Sequence, residues 1–143
     1  MPENFISANP GECKAAGLSL TGKSGHFTSP NYPNNYPNSK TCRWIITVPE
    51  GHRLKLTFET FLLETCLVPS TCTCDHVEVR DGSDGGSRQL GKFCGNKNPD
   101  PIMSSGRFMW REFDSDSSST EKGFSATYTT FGMKTVFLLS WIE

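Results

Sequence analysis

This chain of 143 residues has little of what marks an enzyme or a nucleic-acid binder. It contains no Lys/Arg cluster and its formal net charge is −1, so the basic footprint of a surface for nucleic acid or an anionic membrane is missing. No G-x-S-x-G, H-E-x-x-H or phosphate-cradling G-x-x-x-x-G-K-S/T run occurs. The stretch Asp81-Gly-Ser-Asp-Gly-Gly begins like a calcium loop of the EF-hand type, but its twelfth position is Lys92 where that loop needs a glutamate, so it reads as a turn. Ser119-x-x-Lys122 lies in a serine-rich loop without a helical pattern and carries no catalytic meaning. Two C-x-x-C knuckles are lacking, and His26, His52 and His76 are scattered, which argues against zinc. Residues 135–142 (TVFLLSWI) are apolar, yet far short of the ~20 residues that span a bilayer. Residues 1–12 lack the basic and apolar regions of a secretory signal, and no N-x-S/T sequon is present.

What the chain does have is cysteine and short alternation. Cys13, Cys42, Cys66, Cys72, Cys74 and Cys94 form an even set, which fits three disulfides and an oxidising compartment but leaves the pairing open. A disulfide framework without a signal leads to the expectation of a fragment or an unusual isoform, with residues 132–143 as a non-native or splice-derived tail. The length suits one domain with one core. Trp44, Ile46 and Val48 alternate along residues 43–48; Leu54, Leu56 and Phe58 repeat the period of two, as do Val77 and Val79. Residues 108–113 and 124–128 add two more such runs. No window sustains a 3.6-residue period, so many short strands with turns between them predict an all-β sandwich or barrel. Pro49-Glu50-Gly51 and residues 81–86 are turn signals, and the prolines of residues 29–37 (SPNYPNNYP) exclude a central strand there. Trp44, Phe58, Phe108 and Phe124 are expected in the core. Arg111 shares the parity of Met109 and Phe113, so it is expected to snorkel to solvent or to find a carboxylate. Asp75 opens a strand, where a charge is costly without a partner.

The order and spacing of several motifs closely resemble the CUB domain. They are Cys13; Gly25-His26-Phe27-Thr28-Ser29-Pro30-Asn31-Tyr32-Pro33-x-x-Tyr36-Pro37; Cys42-x-Trp44-x-Ile46; and Phe61-Leu62-Leu63-Glu64. Cys72-x-x-Asp75-x-Val77-x-Val79-x-Asp81-Gly82, Phe93-Cys94-Gly95, Phe113-x-Ser115-Asp116 and Gly123-Phe124-x-Ala126-x-Tyr128 continue them. The resemblance covers residues 13–131 as one domain, with residues 1–12 as a flexible N-terminal segment. It implies a two-sheet antiparallel jelly-roll sandwich in an extracellular, secreted or ectodomain setting. It also implies the bridges Cys13–Cys42 and Cys72–Cys94, which leaves Cys66–Cys74 as an extra pair; Cys66–Cys72 with Cys74–Cys94 is the alternative. Cys74 falls where the family often has an aromatic residue.

In calcium-binding members of that family, residues matching Glu64, Asp75 and Asp116 supply carboxylate ligands. Backbone carbonyls matching Ser118 and Ser119 join them, and the tyrosine matching Tyr36 buttresses the glutamate. The resemblance therefore implies one Ca²⁺ as cofactor. Its implied partner is an extracellular protein that presents Lys or Arg beside the ion, with Tyr36, His76 and the 117–121 loop as neighbours. Three carboxylates brought together need protons, cations or distance, and a hard divalent ion answers that need. The insertion between Glu64 and Asp75 (TCLVPSTCTC) either displaces Glu64 or, bridged internally, stiffens the site. The expected role is a calcium-dependent interaction module without catalysis of its own. The competing roles are an exosite of a larger secreted protease and a free-standing glycan binder.

Overall fold

The computed structural model describes residues 11–132. The first ten residues and the tail from residue 133, for which a non-native or splice-derived origin is expected, lie outside the described residues. In chain order the strands are β1 (Leu18–Thr21), β2 (Ser24–Thr28), β3 (Thr41–Thr47), β4 (His52–Leu62), β5 (His76–Asp81), β6 (Arg88–Phe93), β7 (Ile102–Met103), β8 (Phe108–Asp114) and β9 (Gly123–Gly132). They build two sheets, β1-β3-β8-β5-β6 and β2-β9-β4-β7, packed face to face as a jelly-roll sandwich. All pairings are antiparallel except β1 with β3, which run parallel.

Alternation explains the central strands. In β3, Cys42, Trp44 and Ile46 are buried and the residues between them are half-exposed. Such a strand has one face on the core and one toward water. β4 begins in the same way with Leu54, Leu56 and Phe58 inward. A bulge at Glu59 then shifts the register between Phe58 and Thr60, so Phe61 and Leu63 turn inward instead. That shift also sets the side from which Glu64 leaves the strand. Phe124 of β9 is the hub of the core, with the rings of Phe27, Trp44, Phe58, Phe61 and Phe113 centred 5.6–6.5 Å from its own. Most of these pairs meet edge to face, the arrangement favoured by the ring quadrupole.

Two expectations about the core are corrected. Phe108 is only half-buried, on the outer face of its sheet, with the Arg107 guanidinium 5.3 Å from its ring. Its parity is opposite to that of Met109 and Phe113. Arg111 neither snorkels nor meets a carboxylate: it is fully buried, and all three guanidinium nitrogens lack a hydrogen-bond partner among the described residues. It lies over the Phe27 ring at 3.6 Å and is 5.7 Å from the Trp44 ring, in cation–π contact, with the Tyr128 hydroxyl as a secondary electrostatic neighbour. Trp44 is its cross-strand neighbour in the β3–β8 register, and the two sheets enclose the side chain before it can reach water. Burial holds its pKa well below the ordinary arginine value.

Gly123 at the start of β9 must be glycine for two reasons. Its φ is +95°, and a Cβ there would stand 1.9 Å from Ser29 Oγ and 3.3 Å from the Tyr36 ring. Ser29 Oγ in turn accepts from the Phe124 amide at 3.0 Å. This tight seam carries the 29–40 segment across the end of the sandwich and brings Tyr36 against Asp75 and Glu64.

Candidate metal centre

Glu64 follows β4, Asp75 precedes β5 and Asp116 follows β8. β5 and β8 are neighbours in one sheet while β4 belongs to the other, so the three acids meet where the two sheets end side by side. One oxygen each from Glu64 and Asp116 and the Cys74 sulfur lie within 4.8 Å of one another. Cys74 is bridged to Cys66, so its sulfur is no thiolate and brings no charge. The other bridges join Cys13 to Cys42 and Cys72 to Cys94.

Asp75 stands one step behind that trio and is fully buried. Its Oδ2 accepts the Tyr36 hydroxyl at 2.6 Å and its Oδ1 accepts the Asp116 amide at 2.8 Å. Tyr36 is itself 1% exposed, and its hydroxyl oxygen accepts the Glu64 amide at 3.1 Å. One phenol thus ties two of the acids together. Burial, and then the bond to Asp75, push its pKa well above the ordinary value, so it remains a donor. Tyr36 is too enclosed for a partner to touch; it positions the acids.

Glu64 is the anomaly of the cluster. Its Oε1 is buried with no hydrogen-bond partner among the described residues. Burial, followed by the charges of Asp75 and Asp116, pushes its carboxyl up to about 7. Asp75 is raised as well, first by burial; the Tyr36 and Asp116 hydrogen bonds oppose that shift and the Asp116 charge adds to it. Two carboxyls are therefore pushed toward their protonated forms because their charges crowd together with little water.

The rim of the site is a hydrogen-bonded seam that the sequence reading missed. The Ser39 amide donates to the Asp116 carbonyl at 2.8 Å and the Tyr36 amide to the Glu121 carbonyl at 3.1 Å. Ser115 Oγ donates to the Pro37 carbonyl at 2.8 Å and accepts the Lys40 amide at 2.9 Å. Asn35 Nδ2 reaches Thr120 Oγ1 at 3.2 Å. The only sequence signal for this lacing was the density of turn formers in residues 29–40. Leu63 N–H donates to the Gly95 carbonyl at 2.8 Å, next to the Cys72–Cys94 bridge, and so holds the chain just before Glu64.

Ser118 and Ser119 lie in the exposed loop after Asp116. The Ser118 amide donates to Asp116 Oδ1 at 3.1 Å, and Ser119 adopts a φ of +60°. His76 is not in the cluster. It faces the outer side of its sheet, with Nδ1 2.8 Å from the Cys74 carbonyl and Nε2 3.5 Å from Asp114 Oδ2.

A family model described as the CUB domain matches residues 13–128. Human tolloid-like protein 2 is 41% identical over 128 residues, 88% of this chain and 12% of that protein. The full extracellular region of zebrafish Adgrg6 superposes with a TM-score of 0.71 at 37% identity, covering 83% of this chain and 15% of that one. The MASP-1 CUB2 domain, solved bound to Ca²⁺, superposes with a TM-score of 0.68 at 35% identity over 78% of this chain and 96% of its own. The chain spans about an eighth of the length of the tolloid-like relatives that it matches. A match that runs through nearly the whole sandwich, at this level of identity, makes the chain a member of the CUB domain family.

Proposed function

We propose that this chain is an extracellular, calcium-dependent protein-interaction module with no catalysis of its own. The observation that carries the reading is the orphaned, buried Glu64 Oε1 beside Asp75 and Asp116. Three oxygen donors crowded into little water, two of them pushed toward protonation, fit a hard divalent cation. Glu64, Asp75 and Asp116 would hold the ion, with the Ser118 and Ser119 carbonyls as further donors. When bound, Ca²⁺ supplies the positive charge that lets the acids stay ionised together. Likeness to the Ca²⁺-bound MASP-1 CUB2 domain supports the choice of metal. Three disulfides and the likeness to an extracellular region support the compartment.

Partner binding uses the same charges. A carboxylate oxygen at the rim accepts a Lys or Arg from the partner, in a charge-assisted bond stronger than a neutral one. A rim pair alone contributes little, so neighbouring apolar contacts must add to it. The test is a calorimetric calcium titration of the wild type and Asp116→Ala. A saturable one-site heat in the wild type and its loss in the variant are expected. Equal heats from the two proteins refute the site.

A further inference from the structure

Leu67 and Val68 stand in water at the tip of the insertion, 102% and 56% exposed. The loop is built to hold them there. The Cys66–Cys74 bridge closes its base, and the Cys74 amide donates to the Cys66 sulfur at 2.9 Å. The Thr71 amide and hydroxyl both donate to the Val68 carbonyl, at 3.1 and 2.8 Å. Cys72 sits in the left-handed region at φ +50° and carries the second bridge, to Cys94. Folding gains nothing from two aliphatic side chains left in water. Cross-linking that segment twice removes freedom that a partner would otherwise have to remove on binding.

Beside the loop opens a cleft of about 380 Å³, walled by the Cys72–Cys94 bridge, Phe93 and Pro99. Its charged groups are Lys92, Lys97 and Asp100. Neither lysine has an ion-pair partner among the described residues. Two cations against one carboxylate leave the cleft net positive. The acids at the other root of the loop, Glu64 and Asp75, give the opposite sign.

We infer that the bridged loop and this cleft form a docking surface for a protein segment that places an apolar side chain on Leu67 and Val68 and a neighbouring carboxylate between Lys92 and Lys97. The inference rests on the reading of the chain as a protein-interaction module and adds a surface of opposite charge preference to it. The occupant is a protein because a desolvated apolar anchor with a charged neighbour is how compact protein interfaces concentrate their energy. An anionic bilayer fits less well. Two aliphatic side chains insert little area, and the Asp100 carboxylate in the cleft opposes an anionic surface.

The probe is a library of random dodecapeptides displayed on phage, selected against the full chain in Ca²⁺. Leu67→Ser/Val68→Ser and Lys92→Glu/Lys97→Glu serve as counter-selections. The substituted side chains are exposed, so both double variants are expected to melt as the wild type does. Enriched peptides should pair an aliphatic or aromatic residue with Asp or Glu, and each double variant should weaken their binding by about tenfold or more. No enrichment over the variants, enrichment without acidic residues, or equal binding by the double-serine variant overturns the inference. Failure of peptide selection together with co-sedimentation on phosphatidylserine–phosphatidylcholine vesicles that the double-serine variant abolishes assigns the loop to a membrane and also overturns it. Calcium heats are measured separately. A chain that binds the selected peptides but no calcium loses the metal reading and keeps this one; the reverse result loses only this one.

Discussion

Replacing Arg111 with methionine should make the domain more stable. A guanidinium taken out of water into a protein interior retains a penalty of several kcal/mol even after the surroundings relax. Here no hydrogen-bond acceptor among the described residues offsets it, since Nε and both terminal nitrogens lack partners, and the Tyr128 hydroxyl offers only a secondary electrostatic contact. The compensation is the π-face of Phe27 at 3.6 Å, with Trp44 at 5.7 Å. Desolvated cation–π contacts contribute about 2 kcal/mol, and the imperfect volume match of methionine costs about 1 kcal/mol. The balance favours Arg111→Met by about 2 kcal/mol. No acceptor is left stranded by the change, which separates this case from the breaking of a buried ion pair. For a domain of this size, that gain raises Tm by about 6–10 °C. Thermal unfolding under oxidising conditions measures the shift, and urea unfolding should show a higher midpoint with an unchanged slope. A lower Tm in Arg111→Met would refute the reasoning, because it would mean that the guanidinium has an acceptor in the core.

Two further outcomes follow from the carboxylate cluster. Tyr36→Phe removes the donor to Asp75 and the acceptor for the Glu64 amide, and should cost about 2 kcal/mol of stability; urea unfolding in EDTA measures it, and a change under a few tenths would show that the phenol is not needed to hold the acids. The raised Glu64 carboxyl makes the metal-free folded state bind more protons than the unfolded chain between its ordinary value of 4.5 and about 7. Its contribution to stability is therefore fully present below pH 4.5 and lost as pH rises through about 7. The difference in stability between wild type and Glu64→Gln, followed in EDTA across that window, should move against the wild type with rising pH; a flat difference would show that Glu64 is not perturbed.

Strands that lie across one buried face were readable from sequence, because burial forces the period of two. Trp44, Ile46, Val77 and Val79 announced β3 and β5 in this way. β7 could not be read, since two residues hold no period, and β6 lies at a sheet edge where only a few of its residues are half-buried. The second half of β4 was hidden by the bulge at Glu59, which breaks the alternation at the point where it redirects the chain. At the site, the acid positions could be read through family resemblance. The orphaned Glu64 oxygen, the buried Tyr36–Asp75 bond and the seam between residues 35–40 and 115–121 depend on segments distant in sequence, and no local pattern encodes them. Arg111 shows the limit of parity reasoning. Alternation placed it inward, and the expected escape failed because Phe27 and Trp44 close over it.

The Cys66–Cys74 bridge has a consequence for how this part of the chain can change. Along the backbone, Glu64 and Asp75 are separated by the whole insertion, but through the sulfurs the path leaves at Cys66 and re-enters at Cys74, directly before Asp75. The bridge is a covalent short circuit. Residues 67–71, short of the Cys72 that anchors the second bridge, can be exchanged or lengthened while the spacing of the two acids stays the same, because adding residues to an already closed ring costs little. A single cross-link thus makes the tip a replaceable part and the acids a fixed mount. New recognition sequences can be tried at the tip without retuning the mount beneath it.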